Sequence, residues 1–318
     1  MHLMVKKTAE LSDAGQYGIL SLFNTVFHKD RTIAHFRNQF FNTVLGYSYH
    51  ALLYDGDLIA GCYSFTPSYY RIEDRRCLCA LGLDLMIHQA YRGRGYFQKM
   101  FSACIDYMRD DGVTCIITFP NDVSYPGFIK SGLIHDLGSL TLYALPYRIG
   151  GIQPAARALN WLSAAAANSF VFLCSLFAGG KTHRFSIEKE TETYNLTRYS
   201  QPDGRYSIEH GTGSGFVYKM MDYEGVRAAF LIDVFVKSAR NYNLAVKHII
   251  KKHHKEFDIL LYVGRLPFGS HGLLKVPRRF SPKNFHFLGQ LLKEGVIKTD
   301  LFFNPDNWDI NLSNYDLL

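Results

Sequence analysis

LDLMIHQAYRGRGYFQKMF, residues Leu83 to Phe101, is the stretch on which the fold turns. Its first part closes the apolar run Cys77 to Ile87 (CLCALGLDLMI), which reads as a buried strand. Its last part opens a helix whose apolar stripe is Phe97, Met100, Phe101, Cys104, Ile105 and Met108. Between them lies the turn Tyr91-Arg92-Gly93-Arg94-Gly95. A strand, a glycine-rich turn, a helix and then a β-branched strand over Val113 to Phe119 predict an α/β layer arrangement. Such a turn leaves backbone N–H groups uncovered at a helix N-terminus, where they can donate to phosphate oxygens. Arg92 and Arg94 can add charge-assisted contacts to a diphosphate. The GxxxxGK[ST] loop of nucleotide triphosphatases is absent, and the third glycine of a dinucleotide fingerprint falls at Gln98. The plainer reading is a helix-capping turn with basic residues on the surface.

Outward from this stretch, 318 residues suggest two domains. With 47% hydrophobic and 20% charged residues the chain is neither disordered nor a disulfide miniprotein. Its 35 basic and 28 acidic residues leave +7, which suits an anionic ligand, a nucleic acid or a membrane surface. Six cysteines without a CxxC pair or a zinc-spaced His cluster point to buried thiols in a reducing compartment and to no metal site. Cys77 and Cys79 read as core residues. The N-terminus has no apolar segment of the secretory kind, so a cytoplasmic protein is expected.

Elsewhere the patterns predict a helix over Leu11 to Phe27, a hairpin turning at Asp55-Gly56, and a strand over Leu137 to Leu145. Leu159 to Gly180 carries no formal charge; polar interruptions argue against a membrane span, leaving a helix buried between domains or one resting on a membrane surface. The second half predicts strands over Phe216 to Met221, Ala228 to Val236 and Ile259 to Val263, with helices over Lys237 to His254 and Pro282 to Glu294. It echoes the order of the first. Gly211 to Gly215 reads as a loop or hairpin turn. The basic helix and the cluster Lys275, Arg278 and Arg279 suit either a solvated face or an anionic partner.

Ile87 to Phe97 resembles motif A of the GCN5-related N-acetyltransferase superfamily, with Gln89 in place of a proline and Phe97 in place of a small residue. Asn121 to Leu133 (NDVSYPGFIKSGL) is similar to the second signature of that superfamily. The resemblance implies an α/β (α+β) chain of two such domains, each a mixed, mostly antiparallel sheet flanked by helices. Residues 1–148 would bind acyl-CoA, 149–180 would be an apolar helical linker, and 181–318 a degenerate second copy. It further implies that Leu85, Met86 and Ile87 offer their main chain to the pantetheine arm, and that Arg92, Gly93, Arg94, Gly95, Tyr96 and Phe97 cradle the pyrophosphate of acetyl-CoA. Asn121 would touch pantetheine, and Phe128 would flank the cofactor.

The chemistry implied is acyl transfer from a thioester to an amine-bearing small molecule, with no metal. The tyrosine that usually serves as acid is Phe128 here, so Tyr125 or Ser124 is the expected substitute. Asp84 and His88 are the candidate bases; an ion pair or cap at Asp84 and a solvent-facing loop residue at His88 are the plainer readings. By analogy with N-myristoyltransferases, the Leu318 carboxylate is a further candidate base. A weaker similarity of Phe119 to Gly132 and Asn307 to Leu318 to bacterial surface-polysaccharide proteins suggests an amino-sugar acceptor. The competing expectations are an aminoacyl-tRNA-dependent transferase of the Fem type and a non-catalytic CoA-binding module. Nucleic acid is not the expected partner of the leading reading, peripheral membrane contact is allowed, and the sequence is silent on oligomeric state.

Overall fold

Local signals start most of the elements. The computed structural model describes residues 1–200, 206–211 and 214–314. Strand β1 (His2–Lys7) leads into helices α1 (Asp13–Phe27) and α2 (Ile33–Phe41), whose first N–H groups are capped by the hydroxyls of Ser12 and Thr32. The Asp55-Gly56 turn, with Gly56 at φ +57°, joins β2 (Tyr49–Asp55) to β3 (Leu58–Ile72). Then come β4 (Arg75–Ile87), α3 (Tyr96–Asp110), β5 (Cys115–Thr118), α4 (Tyr125–Ser131) and β6 (His135–Ser139). The middle of the chain forms β7 (Thr141–Pro146), α5 (Ile149–Ile152), α6 (Asn160–Phe177), β8 (Ile187–Lys189) and α7 (Thr191–Thr197). The rest forms β9 (Ser207–Gly211), β10 (Ser214–Tyr223), β11 (Val226–Val234), α8 (Ala239–His253), β12 (Ile259–Gly264), β13 (Leu274–Lys275), β14 (His286–Leu291) and α9 (Thr299–Phe303).

These elements make two sheets. One runs β1-β2-β3-β4-β5-β14-β6, with β8 added beside β3; the other runs β13-β7-β12-β11-β10-β9. Both sheets hold a single parallel pair, β4 with β5 and β11 with β12, and every other pairing is antiparallel. The parallel pairs are the ones joined through a long helix, α3 in one case and α8 in the other, as a parallel crossover requires. The second sheet therefore repeats the pairing pattern of β2 to β6.

The units built on these sheets are interleaved in sequence, where consecutive halves were expected. Met1–Ser139, the segment opening at Ser186, and Phe285–Trp308 form one compact unit; Leu140–Phe185, the stretch ending at Asn284, and the segment opening at Asp309 form the other. Two expectations change accordingly. The helix expected over Pro282 to Glu294 is instead strand β14, inserted between β5 and β6. Its Gly289 sits so close to Leu137 and Phe302 that a Cβ would come within 2.7 Å of the first, and tertiary pairing overrides the helical spacing. The single strand expected over Leu137 to Leu145 is two, because β6 and β7 belong to different sheets.

In the first unit, α3 and α4 pack Met100, Phe101, Cys104 and Phe128 onto one face of the sheet, while α1 and α2 pack Ile19, Phe23, Phe36 and Phe40 onto Leu52, Cys62 and Met86. Cys77 and Cys79 are buried, and burial pushes both thiols above their ordinary range. In the second unit, α6 and α8 cover the sheet through Ala167, Val171, Tyr242 and Val246. A buried ion cluster also ties that unit together. Lys237 Nζ lies 2.5 Å from Asp233 Oδ1 and 3.2 Å from Asp309 Oδ2, and Asn311 donates to the same Asp233 oxygen at 2.8 Å.

His50 is a buried, neutral member of the first unit, hydrogen-bonded at 2.9 Å to both the Thr8 and the Ser64 hydroxyl. Burial lowers its pKa to about 3, and that of His271 in the second unit to about 4. The unfolded chain binds these protons from about pH 6.5 downward, whereas the folded chain refuses them until the lower values are reached. Stability must then fall as pH falls below about 6.5. Thermal unfolding should show Tm dropping from pH 7 to pH 4.5, with a shallower slope in His50→Asn; an equal slope in that variant would contradict this assignment.

Candidate active site

The site begins where two parallel strands separate. β4 and β5 pair from Cys79 with Cys115 to Gly82 with Thr118 and no further. On its other edge β4 stays paired with β3, but between Cys62/Met86 and Ser64/Leu83 the register slips, so that Asp84 and Leu85 together oppose Tyr63. This is a β-bulge, and Asp84 takes φ +51° to make it. Aspartate tolerates this conformation better than most residues. Beyond the bulge, the β5-facing edge of Leu85, Met86 and Ile87 carries no strand partner among the described residues.

Arg31 locks the bulge. Its guanidinium lies 2.5 Å from Asp84 Oδ2 and 3.4 Å over the ring of Phe23, and its backbone is gripped on both sides by the Asn24 side chain. The Asp84 carboxylate is thus held in an ion pair, the plainer of its two readings. His88 caps the short turn that follows, accepting from Ala90 N at 3.3 Å.

At the end of β4 the turn is open. Gly93 and Gly95 both take φ +74°, and a Cβ at either would meet nothing within 4 Å. Gly95 is the N-cap of α3 and brings no side chain to cap it, so the first-turn N–H groups face the open side of the turn. Arg92 and Arg94 are exposed beside it; Arg92 Nε donates to Ile87 O at 2.9 Å, and Tyr91 anchors the turn through a 2.7 Å bond to Asp55. An uncapped N-terminus, two open glycines and two arginines fit a diphosphate. The matching position in the second sheet does not. There Ser238 caps α8 through its own hydroxyl and the preceding Lys237 is buried in its ion cluster.

The remaining expected residues fall into two groups. Phe97 and Phe128 meet edge to face, with ring centroids 4.9 Å apart, and pack with Phe101 and Tyr63. The bulky Phe97 and the absence of a tyrosine at 128 are therefore one packing solution. Asn121, Ser124 and Tyr125, in contrast, are engaged at the start of α4. Asn121 Oδ1 accepts from the backbone of Val123 and Ser124, and the Ser124 hydroxyl turns back onto the same oxygen at 3.0 Å. The Tyr125 hydroxyl donates to Asp136 on β6 at 2.6 Å, and its ring stacks on His286, which itself bonds Asp122 at 2.8 Å. The bond to Asp136 raises the Tyr125 pKa above the ordinary phenol value. Leu318 lies outside the described residues.

One residue at the parting of the strands was not anticipated. Tyr63, on β3, passes its ring across β4 at Gly82, where a Cβ would come within 2.5 Å of the phenol oxygen. That oxygen is buried and has no hydrogen-bond partner among the described residues. Thr118, its polar neighbour, spends its hydroxyl on Gly82 O at 3.0 Å. Burial drives the Tyr63 pKa well up, against the milder opposing influence of Thr118. The only trace of this in the sequence is a glycine inside an apolar strand, which often marks close approach.

A bulged strand parting from its parallel neighbour above an uncapped, glycine-flanked helix N-terminus leaves a free main-chain edge beside an anion-binding turn. The acetyltransferase (GNAT) domain model matches residues 8–131, which contain the bulge, the turn and α4. Residues 8–131 are thus similar in sequence to an acetyltransferase (GNAT) domain, a kind of domain associated with acyl transfer. Over the longer chain the fold is similar to GCN5-related N-acetyltransferases from Anabaena variabilis (TM-score 0.58, 11% identity, 91% of this chain and 73% of that one) and Kribbella flavida (0.58, 13%, 91% and 71%). It is also similar to an Enterococcus faecalis protein described as a probable N-acyltransferase (0.57, 13%, 92% and 73%). No curated protein matches the chain by sequence.

Proposed function

We propose that the chain is an acyl-CoA-dependent N-acyltransferase, with acetyl-CoA as donor and an amine-bearing small molecule as acceptor, working in the cytoplasm. The observation that carries this is the open Arg92–Gly95 turn at the uncapped start of α3, next in the chain to the edge of Leu85–Ile87 that has no strand partner among the described residues. An intact turn of this kind favours CoA over an aminoacyl-tRNA donor. Residues of the first unit hold the donor, and the second unit, whose corresponding helix is capped, does not. An amino sugar is the acceptor class to test first, on the weaker similarity noted for Phe119 to Gly132.

When bound, a thioester supplies an activated acyl carbon, and negative charge grows on its oxygen and sulfur as an amine attacks. Arg92, Arg94 and the N–H groups of Tyr96 and Phe97 bind the diphosphate; Leu85, Met86 and Ile87 orient the arm. Asp84, fixed by Arg31, keeps the bulge and so aims that edge; it is a positioning residue and not the base. Tyr63 takes over the place of the tyrosine missing at Phe128. Its high pKa makes it a hydrogen-bond donor that keeps its proton, stabilising charge at the thioester. The hydroxyl is covered, so reaching it requires the Phe97 ring, the least buried of its aromatic neighbours, to turn aside.

Acetyl-CoA should raise Tm by several degrees, and Arg92→Glu with Gly95→Asp should abolish the shift. Release of free CoA thiol across a panel of amines, amino sugars included, should identify an acceptor. No shift with any acyl-CoA would overturn the proposal, and a shift without turnover would favour a binding module. Tyr63→Phe should keep the acetyl-CoA shift and an unchanged or raised Tm, since it removes an unpaired buried hydroxyl. Its turnover should fall about 100-fold, the scale of losing one charge-stabilising donor. Unchanged turnover would remove Tyr63 from the chemistry and leave the acyltransferase reading standing.

A further inference from the structure

Helix α6 presents its apolar face to the outside. Trp161, Leu162, Phe172, Leu173, Leu176 and Phe177 are each at least half exposed, Trp161 at 72% and Phe177 at 77%. They follow one another at i, i+4 and i+7 spacing with Ala165, Ala166 and Ser169 between them, all on one side of an 18-residue helix about 27 Å long. Only 11% of an 18-residue window within Pro154–Phe177 is buried, so the helix is not the buried one allowed by its sequence. The opposite side, through Ala167 and Val171, is packed against its own unit and tied to α8 by Asn243 Nδ2, which donates to Val171 O at 3.0 Å. A helix fastened along one side cannot be encircled by lipid. It can lie on a surface.

The charges say which surface. No Asp or Glu occurs from 137 to 187 or from 234 to 255. On α8, Arg240, Leu244, Lys247 and Lys251 share a face, and none of the three cations has an acidic partner among the described residues. Lys247 Nζ sits 6.0 Å from the Phe172 ring, which puts this cationic stripe at the edge of the apolar face. Arg157 and Lys181 flank the two ends of α6. The acidic residues that bound these two stretches, Asp136, Glu188, Asp233 and Glu256, lie beside Tyr125, Arg71, Lys237 and His253 in turn. A second copy of the chain docking by this face would bring like charges together, whereas an anionic bilayer meets both the apolar stripe and its cations.

We propose that the second unit binds the surface of an anionic phospholipid membrane, with α6 lying in the interface and the α8 stripe over the headgroups. Trp161 and Phe177, at opposite ends of the helix, are its anchors, and Lys247 and Lys251 supply the attraction to anionic lipid. This is independent of the acyl-transfer reading, because none of these residues belongs to the candidate active site.

The test is co-sedimentation of the full chain with vesicles of phosphatidylcholine containing 30% phosphatidylglycerol, and with pure phosphatidylcholine. The proposal expects binding to the first, at least tenfold weaker binding to the second, and release by raised salt. Phe172→Ser with Phe177→Ser, and separately Lys247→Glu with Lys251→Glu, should each weaken binding about tenfold or more while leaving Tm within a degree or two. Equal binding to both vesicles, no binding, or insensitivity to both double variants would overturn it. So would a dimer in sedimentation equilibrium that the Phe172→Ser, Phe177→Ser variant dissociates.

Discussion

The pairing of β4 with β5 ends at Gly82 and Thr118, and the rest of the candidate site depends on that ending. A parallel pair that ran on would satisfy the N–H and C=O groups of Leu85 to Ile87 within the protein. The bulge at Asp84 turns β4 aside, and the Arg31 pair, itself held by Asn24 and Phe23, keeps it turned. The main-chain edge so exposed runs into a turn whose glycines leave helix α3 uncapped. Strand, turn and helix N-terminus adjoin along the chain, so the edge freed by the break runs directly into the N-terminus that Gly95 leaves uncapped.

Tyr63 opposes the bulge from β3 and packs with Phe97, Phe101 and Phe128. A tyrosine at 128 would put a hydroxyl into the cluster of Phe97, Phe101 and Tyr63, where burial without a partner is costly. The chain has phenylalanine there, and the Tyr63 phenol reaches the cluster from β3 over Gly82, which leaves just enough room. Tyr63 Oη is one of few buried side-chain atoms without a partner among the described residues, and such an atom asks for an explanation beyond stability.

Much of this was legible in local sequence. Ser12, the Asp55-Gly56 turn and the strand-RGRG-helix order act through near neighbours, and the structure shows them as read. The elements that were not legible depend on distant partners. His286 to Leu291 has helical spacing, yet it is a strand because β5 and β6 flank it. Leu137 to Leu145 reads as one apolar run, but the chain leaves one sheet and enters another at Leu140. The pairing of Arg31 with Asp84 and the crossing of Tyr63 over Gly82 join residues far apart in sequence, and spacing carries no trace of them. Helix α6 was legible in composition, while its exposed face was not, since periodicity shows a stripe without showing what covers it. The candidate residues divide in the same way. The turn at Arg92 to Gly95 is open as its glycines implied, whereas Ser124 and Tyr125 are engaged by Asn121 and Asp136.

The most direct measurement of the central claim is backbone hydrogen exchange followed by mass spectrometry, with and without acetyl-CoA. If the freed edge and the uncapped turn hold the donor, peptides covering Leu83 to Phe97 gain protection while those from α8 and its preceding turn do not. Protection confined to the second unit, or unchanged exchange through Leu83 to Phe97 at saturating acetyl-CoA, would contradict the account.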